Sequence, residues 1–273
     1  MINVAAVQMN PDLMDVRSNL DKVAYFAEQA SHAGARLAVF PECALTGYGL
    51  SEAEARQIAV PIPGPTSEAL TDLCRQLDMT IMIGTIESEQ EGALFNTAIL
   101  IDPEGLRAIY RKTHLPTLGV DRYVTAGTHL LDPVETAAGR VGMLICYDLR
   151  FPEPARVLAL DGAQIILLST AWPRAASLYP EFVVSARAAE NRVYLVAANR
   201  VGEERGTHYL GRSIIADPAG RVLAEANESD ETILYAQIDP EKSDEKHLVF
   251  EPNEYELDLF NDRRPELYNP LTE

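Results

Sequence analysis

The stretch Arg140–Glu153, RVGMLICYDLRFPE, decides how the rest of the chain is interpreted. Its apolar run Val141–Ile145 is typical of a strand that is buried on both faces. The run stops at Cys146, and Pro152 then predicts the first turn of a helix, where proline is well tolerated. A thiol between a buried strand and a helix N-terminus is well placed to act as a nucleophile, because the amide dipoles there favour thiolate. These residues alone are equally compatible with an inert, buried cysteine.

The composition excludes several classes of protein. A net charge of −18 argues against nucleic acid or an anionic membrane as a partner, because both bind clustered cations. The three cysteines, Cys43, Cys74 and Cys146, are too few and too scattered for a disulfide framework, which favours a reducing compartment. The N-terminus lacks the pattern of a signal peptide, and no apolar run is long enough to span a bilayer. We therefore predict a soluble, cytoplasmic protein.

Sites for metals and cofactors are not predicted. The five histidines have no metal-ligand spacing, and no two cysteines form a C-x-x-C motif. No glycine-rich phosphate loop follows a predicted strand, so nucleotide binding has no support.

The predicted elements recur in two halves, each in the order strand, helix, strand, helix, strand, hairpin. The predicted strands are Asn3–Gln8, Arg36–Phe40 and Thr80–Gly84 in the first half, and Val141–Ile145, Gln164–Ser169 and Val193–Asn199 in the second. A D-P-x-G turn predicts a hairpin in each half, at Asp102–Gly105 and Asp217–Gly220. Alternating strands and helices favour a mixed sheet in each half covered by helices, an α/β fold.

Three further segments complete this reading of the chain. Phe182, Ala186 and Ala189 mark a helix of the second half, and Thr232–Ile238 is expected to close the second half as its final strand. The tail beyond it is acidic, punctuated by prolines and contains several aromatic residues. It is equally compatible with a strap along its own domain and with an arm on a neighbouring subunit.

Three residues that can do chemistry stand directly after predicted strands. Glu42 and Lys112 share this position with Cys146. A buried charge is costly unless it is matched, so Glu42 and Lys112 would offset one another if they met in one cleft with the thiol. The chain has nineteen arginines and only four lysines, so a lysine beside Arg111 indicates that a compact ammonium is required there. The alternative is an ordinary lysine at a strand end that reaches water.

Three motifs resemble the signatures of the nitrilase superfamily of carbon–nitrogen hydrolases. They are P-E-C at 41–43, Y-R-K-T-H-L-P at 110–116 and C-Y-D-L-R-F-P-E at 146–153, in that family's order, and the likeness extends to 7–10, 187–194 and 211–220. The resemblance implies an αββα sandwich of two mixed sheets flanked by helices, with an internal pseudo-two-fold. It also implies one carbon–nitrogen hydrolase domain over residues 1–240. A homodimer or higher homo-oligomer would then place the C-terminal extension, residues 241–273, at an interface.

The same resemblance suggests roles for the site residues. Cys146 would be the nucleophile, Glu42 the general base and Lys112 the electrostatic stabiliser, while the backbone N–H of Tyr147 would bind the oxyanion without any cofactor. Many members carry a second active-site glutamate shortly after the lysine, which this chain lacks. Asp121 is a substitute for it, or a turn residue that pairs with Arg122.

Two aromatic residues are candidates for the pocket, and the motif after Cys146 indicates the reaction. Tyr48 and Trp172 are predicted to bind substrate in the same cleft, although either could be core packing, and Asp148 and Arg150 are predicted to brace the nucleophile loop. The motif after Cys146 resembles amidases rather than true nitrilases, so we expect hydrolysis of a small carboxamide to acid and ammonia. The alternatives are an N-carbamoyl amide hydrolase, a nitrilase, a Cys–His enzyme with His114 as base, and a non-catalytic binding protein.

Overall fold

A computed structural model describes residues 1–89 and 92–271 of the chain. Within these residues the α-helices are α1 (Val16–His32), α2 (Glu52–Ile58), α3 (Pro65–Leu77), α4 (Pro152–Leu160) and α5 (Val184–Asn191). The strands of the first half are β1 (Ile2–Gln8), β2 (Leu37–Val39), β3 (Thr80–Ser88), β4 (Leu94–Asp102) and β5 (Gly105–Arg111). Those that follow are β6 (Val134–Thr136), β7 (Gly139–Ile145), β8 (Ile165–Ser169), β9 (Tyr194–Ala198), β10 (Glu203–Glu204), β11 (Thr207–His208), β12 (Ile214–Ala216), β13 (Val222–Glu225), β14 (Thr232–Ile238), β15 (His247–Glu251) and β16 (Tyr255–Asp258).

Two mixed sheets of six strands have the same pattern of strand directions. The first has the order β14-β1-β2-β3-β4-β5 and the second the order β6-β7-β8-β9-β12-β13. In each sheet three successive strands, β1–β3 or β7–β9, run parallel, and the remaining strands pair antiparallel. Both D-P-x-G turns form the predicted hairpins, β4–β5 and β12–β13. The repeated order confirms the prediction of two similar halves.

Alternation along the strands of the first sheet separates its two faces, because successive side chains point in opposite directions. One face packs against the second sheet and contributes Val4, Ala6, Leu37, Val39, Met82, Ala98 and Leu100. The opposite face packs against α1 and α3 and contributes Ala5, Val7, Ala38, Phe40, Ile81, Ile83, Ile99 and Ile101. Helices α4 and α5 cover the second sheet in the same way. The four layers confirm the predicted αββα sandwich.

Strand β14 belongs to the first sheet, so the prediction that it closes the second half was wrong. It pairs antiparallel with β1 along its whole length, from Ile2 opposite Ile238 to Gln8 opposite Thr232. The physical reason is that β1 would otherwise be an uncovered edge, whereas β6 already covers the corresponding edge of β7. The chain therefore returns from the second half to complete the first sheet.

The phase predicted for α5 was also wrong. The side chains that face the core are Val184 and Ala188, while Phe182 is 63% exposed. Ala186, one helical turn after Phe182, is exposed as well, so the face that this spacing defines points outward and the opposite face, with Val184 and Ala188, packs on the sheet.

The start of the C-terminal tail packs on its own domain. Ser243 donates from Oγ to the carbonyl of Gln164 over 2.8 Å, and Asp244 accepts from the Gln164 side chain over 2.7 Å. Lys246 donates to the carbonyl oxygens of Asn191 and Arg192 over 2.9 and 3.0 Å. The hairpin β15–β16 that follows is largely exposed. The domain boundary at residue 240 and the oligomer contact of the extension stay predictions.

The turn that carries Glu42 packs directly against Gly84 of β3. A Cβ added to Gly84 would lie 2.5 Å from the Cys43 nitrogen, 2.7 Å from the Glu42 Cα and 2.8 Å from the Pro41 oxygen. All three atoms belong to the backbone, so no side-chain rotation could relieve such a contact. The absence of a side chain at Gly84 thus fixes how closely this turn approaches the sheet.

We expect Gly84→Ala to lower the free energy of unfolding by about 3 kcal/mol, because the turn or the strand must shift to admit the methyl group. The matched control is Gly34→Ala, where a Cβ would meet nothing within 4 Å but φ is +82°. That variant should lose only about 1 kcal/mol, from backbone strain. Denaturant unfolding of both variants measures the difference, and equal losses would contradict this account.

Candidate active site

Glu42 and Lys112 form a buried ion pair where the two halves meet. Glu42 follows β2 and Lys112 follows β5, and both side chains are fully buried. The Lys112 Nζ donates to Glu42 Oε1 over 2.6 Å and to Asp121 Oδ2 over 2.5 Å. The lysine thus lies between two carboxylates instead of reaching water.

Neutral side chains complete this cluster. Asn96, from β4, donates through Nδ2 to Glu42 Oε1 over 2.7 Å and to Asp121 Oδ1 over 2.8 Å. The Tyr48 hydroxyl donates to Asp121 Oδ2 over 2.8 Å. Asp121 is therefore directed into the cluster, and not toward Arg122 as the alternative had it. Sequence reasoning missed Asn96, whose only signal was an amide side chain within the mostly apolar strand β4.

Burial and charge set the protonation of the cluster. Desolvation raises the pKa of Glu42 above its ordinary value of 4.5, and this effect outweighs the attraction of Lys112. Desolvation alone would lower the pKa of Lys112, but the negative charges of Glu42 and Asp121 raise it well above 10.5. The lysine accordingly stays charged, and the raised pKa of Glu42 makes its carboxylate a stronger base than an exposed one.

Cys146 lies at the sharp turn between β7 and the short 3₁₀ helix Cys146–Arg150, with φ of +44°. The charges of Glu42 and Lys112 both act on its thiol, and the residue is 9% exposed. Burial and then the negative charge of Glu42 raise the pKa of the thiol well above 9.0, against the opposing effect of Lys112. The expectation that helix dipoles favour thiolate here was wrong, because desolvation dominates over a short helical turn. At rest the group is a neutral thiol.

Asp148 joins the segment after Lys112 to the strand before Cys146. This fully buried carboxylate accepts hydrogen bonds from the backbone nitrogens of Ile145 and His114, each over 3.0 Å. The hydroxyls of Tyr110 and Thr113 donate to it over 2.8 and 3.0 Å. These contacts agree with its expected bracing role. Arg150, which lies on the same loop, is exposed.

His114 is engaged elsewhere. Its Nδ1 lies 2.8 Å from Asp148 Oδ1, and its ring stacks on Phe151 with centroids 4.2 Å apart. The carboxylate whose charge acts on the thiol is that of Glu42. This arrangement favours Glu42 over His114 as the base.

Two aromatic side chains, Trp172 and Tyr179, belong to the same buried cluster as Cys146. Trp172, which follows β8, is buried and stacks on Tyr179 with centroids 5.1 Å apart and an interplanar angle of 14°. Among the described residues, its Nε1 has no hydrogen-bond partner, so this donor could bind an acceptor on a ligand. Tyr147 is the second residue of the 3₁₀ helix, where a backbone N–H has no acceptor within the helix. Tyr48 contacts the cluster directly, as described above.

Two observations concern other kinds of site. In residues 1–89 and 92–271, no group of three or more His, Cys, Asp or Glu side chains is arranged to hold a metal ion. Over the same ranges, every helix is too short or too polar to traverse a membrane.

Comparisons with known proteins identify the family. Residues 3–247 match the family model for carbon–nitrogen hydrolases. The chain is 38% identical to a protein named nitrilase from Pyrococcus abyssi, over 98% of this chain and 99% of that one. It is 30% identical to human omega-amidase NIT2, over 92% of this chain and 91% of that one.

Solved structures give the same result. An amidase from Nesterenkonia sp. AN1, with acrylamide added to its active-site cysteine, has a TM-score of 0.84 and 25% identity, covering 99% of this chain and 100% of that one. Nit3 of Saccharomyces cerevisiae, described as a member of the nitrilase superfamily, has a TM-score of 0.80 and 30% identity, covering 89% and 92%. The chain therefore belongs to the carbon–nitrogen hydrolase family, in the amidase-like branch of the nitrilase superfamily, and is a hydrolase that acts on amides.

Proposed function

We propose that the protein hydrolyses a small carboxamide to a carboxylic acid and ammonia through a thioester on Cys146. One observation carries this proposal: the buried Glu42 binds Lys112 over 2.6 Å through Oε1, while its Oε2 has no hydrogen-bond partner among the described residues and its charge acts on the Cys146 thiol. A base, a cation and a nucleophile thus share one desolvated cluster.

In the first step Glu42 accepts the proton of the Cys146 thiol as sulfur attacks the amide carbon. The thiol needs this base, because its raised pKa leaves it neutral at rest. Burial raises the pKa of Glu42, which makes the carboxylate a better acceptor than an exposed one. The C–S bond forms while the C=O bond becomes a C–O⁻ single bond.

The oxyanion is stabilised by charge and by a backbone dipole. The Lys112 ammonium remains protonated, and the backbone N–H of Tyr147, at the start of the 3₁₀ helix, supplies the second donor. Such donors in a desolvated site act without reorganisation during the reaction. Asp121 serves as a positioning residue, because it holds Lys112 while the proton resides on Glu42.

The tetrahedral intermediate then collapses toward the thioester. Glu42 returns its proton to the leaving nitrogen as the C–N bond breaks, so that ammonia departs in place of an amide anion. A water molecule, deprotonated by the same carboxylate, adds to the thioester carbon. Loss of the sulfur with that proton regenerates the Cys146 thiol and frees the acid.

The substrate class rests on size and on the nucleophile motif. Cys146 is 9% exposed and belongs to the same cluster of buried side chains as Trp172 and Tyr179, which favours a small acyl group as substrate. The sequence after it, Tyr147-Asp148, resembles amidases. Because one similar protein is named nitrilase, nitriles are the competing substrates that any test must include.

The proposal is tested by ammonia release from a panel of small amides, N-carbamoyl amino acids and nitriles of matched chain length. We expect the amides to react fastest. Preferred release from the nitriles, or from the carbamoyl compounds, would replace the proposed substrate class. Release that continues in Cys146→Ala would refute the thioester route.

Single substitutions test the three roles. We expect Cys146→Ala to abolish turnover, Glu42→Gln to lower kcat by roughly 10³-fold or more, and Lys112→Met by roughly 10²–10³-fold, on the usual scale of base and oxyanion effects. Steady-state kinetics of folded protein, verified by circular dichroism, give these values.

Matched controls are available for two of these side chains. Cys74→Ala removes a buried thiol of the core, and Lys22→Met removes a lysine that forms a surface pair with Asp12 over 3.0 Å. Both should retain turnover within about twofold, as expected for changes away from a site. Equal losses in Lys22→Met and Lys112→Met would contradict the role of Lys112.

The pH dependence follows from the raised pKa of Glu42. The base must be ionised in the free enzyme, so kcat/KM should fall on acidification through a pKa above 4.5. The charge of Asp121 contributes to raising that pKa, so Asp121→Asn should move this acid limb to lower pH. Asp132→Asn, an exposed change, serves as the control and should leave the limb in place. A limb that moves to higher pH in Asp121→Asn would contradict the assignment of Glu42 as base.

A further inference from the structure

A second buried ion pair lies beside the candidate active site, and the reaction steps above make no use of it. Arg200 follows β9, Glu204 ends β10, and their charged groups are in contact with side-chain exposures of 0% and 3%. The Arg200 guanidinium also donates to Asn10 Oδ1 over 2.9 Å and lies 4.1 Å from the centroid of the Tyr209 ring. A buried pair of this kind is weak evidence for stability, so its other contacts decide what it does.

Glu204 holds a loop of the other half of the molecule. Its Oε2 accepts hydrogen bonds from the backbone nitrogens of Tyr48 and Gly49, over 3.1 and 2.7 Å, and from the Tyr209 hydroxyl over 3.2 Å. A Cβ on Gly49 would lie 3.1 Å from the Glu204 Cβ, and Gly47 has φ of +78°. The loop 47–49 thus depends on glycine both to turn and to admit this carboxylate.

The same loop contacts the segment that carries Asp121. The carbonyl of Tyr48 accepts from the Val120 nitrogen over 3.0 Å, and the Tyr48 hydroxyl donates to Asp121 over 2.8 Å. A Cβ on Gly119 would lie 2.3 Å from the Tyr48 ring, so the two segments pack without a gap. Asp121 in turn binds Lys112 over 2.5 Å. A continuous series of contacts therefore joins Glu204 to the lysine.

We propose that Glu204 is a positioning residue for the reaction: through Tyr48 it fixes Asp121, and through Asp121 the ammonium of Lys112. This inference rests on the proposed function, because it assumes that Lys112 stabilises the oxyanion. Glu204 touches neither the thiol nor the carboxylate of Glu42 in any hydrogen bond of the described residues. A site residue held by buried, hydrogen-bonded neighbours keeps its productive geometry, and small displacements are costly in rate.

The first test compares Glu204→Gln with Glu203→Gln. Glu204→Gln retains an oxygen acceptor but loses the charge, whereas Glu203 is an exposed neighbour whose carboxylate lies 3.3 Å from His208. We expect kcat to fall roughly 10-fold in Glu204→Gln with KM changed less than twofold, because the displaced group acts on the transition state. Glu203→Gln should match the wild type. Unchanged kcat in folded Glu204→Gln would overturn the proposal.

The second test asks whether Glu204 acts through Tyr48. Tyr48→Phe removes the hydroxyl that binds Asp121, and the double variant with Glu204→Gln completes a cycle. We expect the double variant to lose less kcat than the product of the two single losses, because both changes release the same carboxylate. Losses that multiply would indicate independent, merely structural effects and would overturn the proposal.

A variant that leaves Arg200 as an unpaired buried cation could fail to fold. The double variant Arg200→Met/Glu204→Gln removes both charges of the pair. Adding Tyr48→Phe to this double variant completes a second cycle, and losses of kcat that multiply in it would again overturn the proposal. In every variant, the rate is divided by the concentration of folded protein whose Cys146 is alkylated by iodoacetamide. If Cys146→Ala remains active, the proposed function fails; if Cys146 is essential but Glu204→Gln is unimpaired, only this inference fails.

Discussion

The burial of Lys112 between the carboxylates of Glu42 and Asp121 is the constraint on which the site depends. Burying a single ion in such a place would cost several kcal/mol of desolvation free energy. Removing one partner of a buried pair leaves the other charge without a counter-ion. Here each charge has an opposite charge within 2.6 Å, and Asn96 spans the two carboxylates. The cluster retains one net negative charge, so it favours a proton on Glu42 and opposes ionisation of Cys146.

The fold brings these groups together because the strands that precede them in the two sheets end at the same edge of the sandwich. Glu42 and Lys112 come from the first sheet and Cys146 from the second, and the carboxyl ends of parallel strands are where α/β sheets form sites. Face-to-face packing of the sheets then sets how far apart these ends lie. The return of β14 to β1 ties the second half of the chain to the first sheet, so the two halves do not position the site independently.

Local pattern was sufficient for the strands, the hairpins and the three residues that follow strand ends, since each depends on neighbours in sequence. It was insufficient where a distant segment decides the outcome. Asn96 and Asp121 are 25 residues apart, and only the packed sheet shows that they share a hydrogen bond. The partner of β14 depends on which edge is uncovered, and the protonation of Cys146 depends on burial that exceeds the effect of the local helix. Glu204 binds the backbone nitrogens of Tyr48 and Gly49, which are farther away still in the sequence. Backbone groups are the same at every position, so the sequence does not indicate such a contact.

The presence of two carboxylates beside one ammonium follows from how charge moves in the proposed reaction. Proton transfer from Cys146 neutralises Glu42 and moves its negative charge to sulfur, and attack moves it on to the carbonyl oxygen. Lys112 attracts this charge throughout, but it would have no fixed counter-ion once Glu42 is protonated. Asp121 contacts Lys112 over 2.5 Å and takes no part in the proton transfers, so the ammonium is held in place at every stage. One carboxylate thus exchanges protons while the other keeps the cation oriented, and Tyr48 and Glu204 hold that second carboxylate.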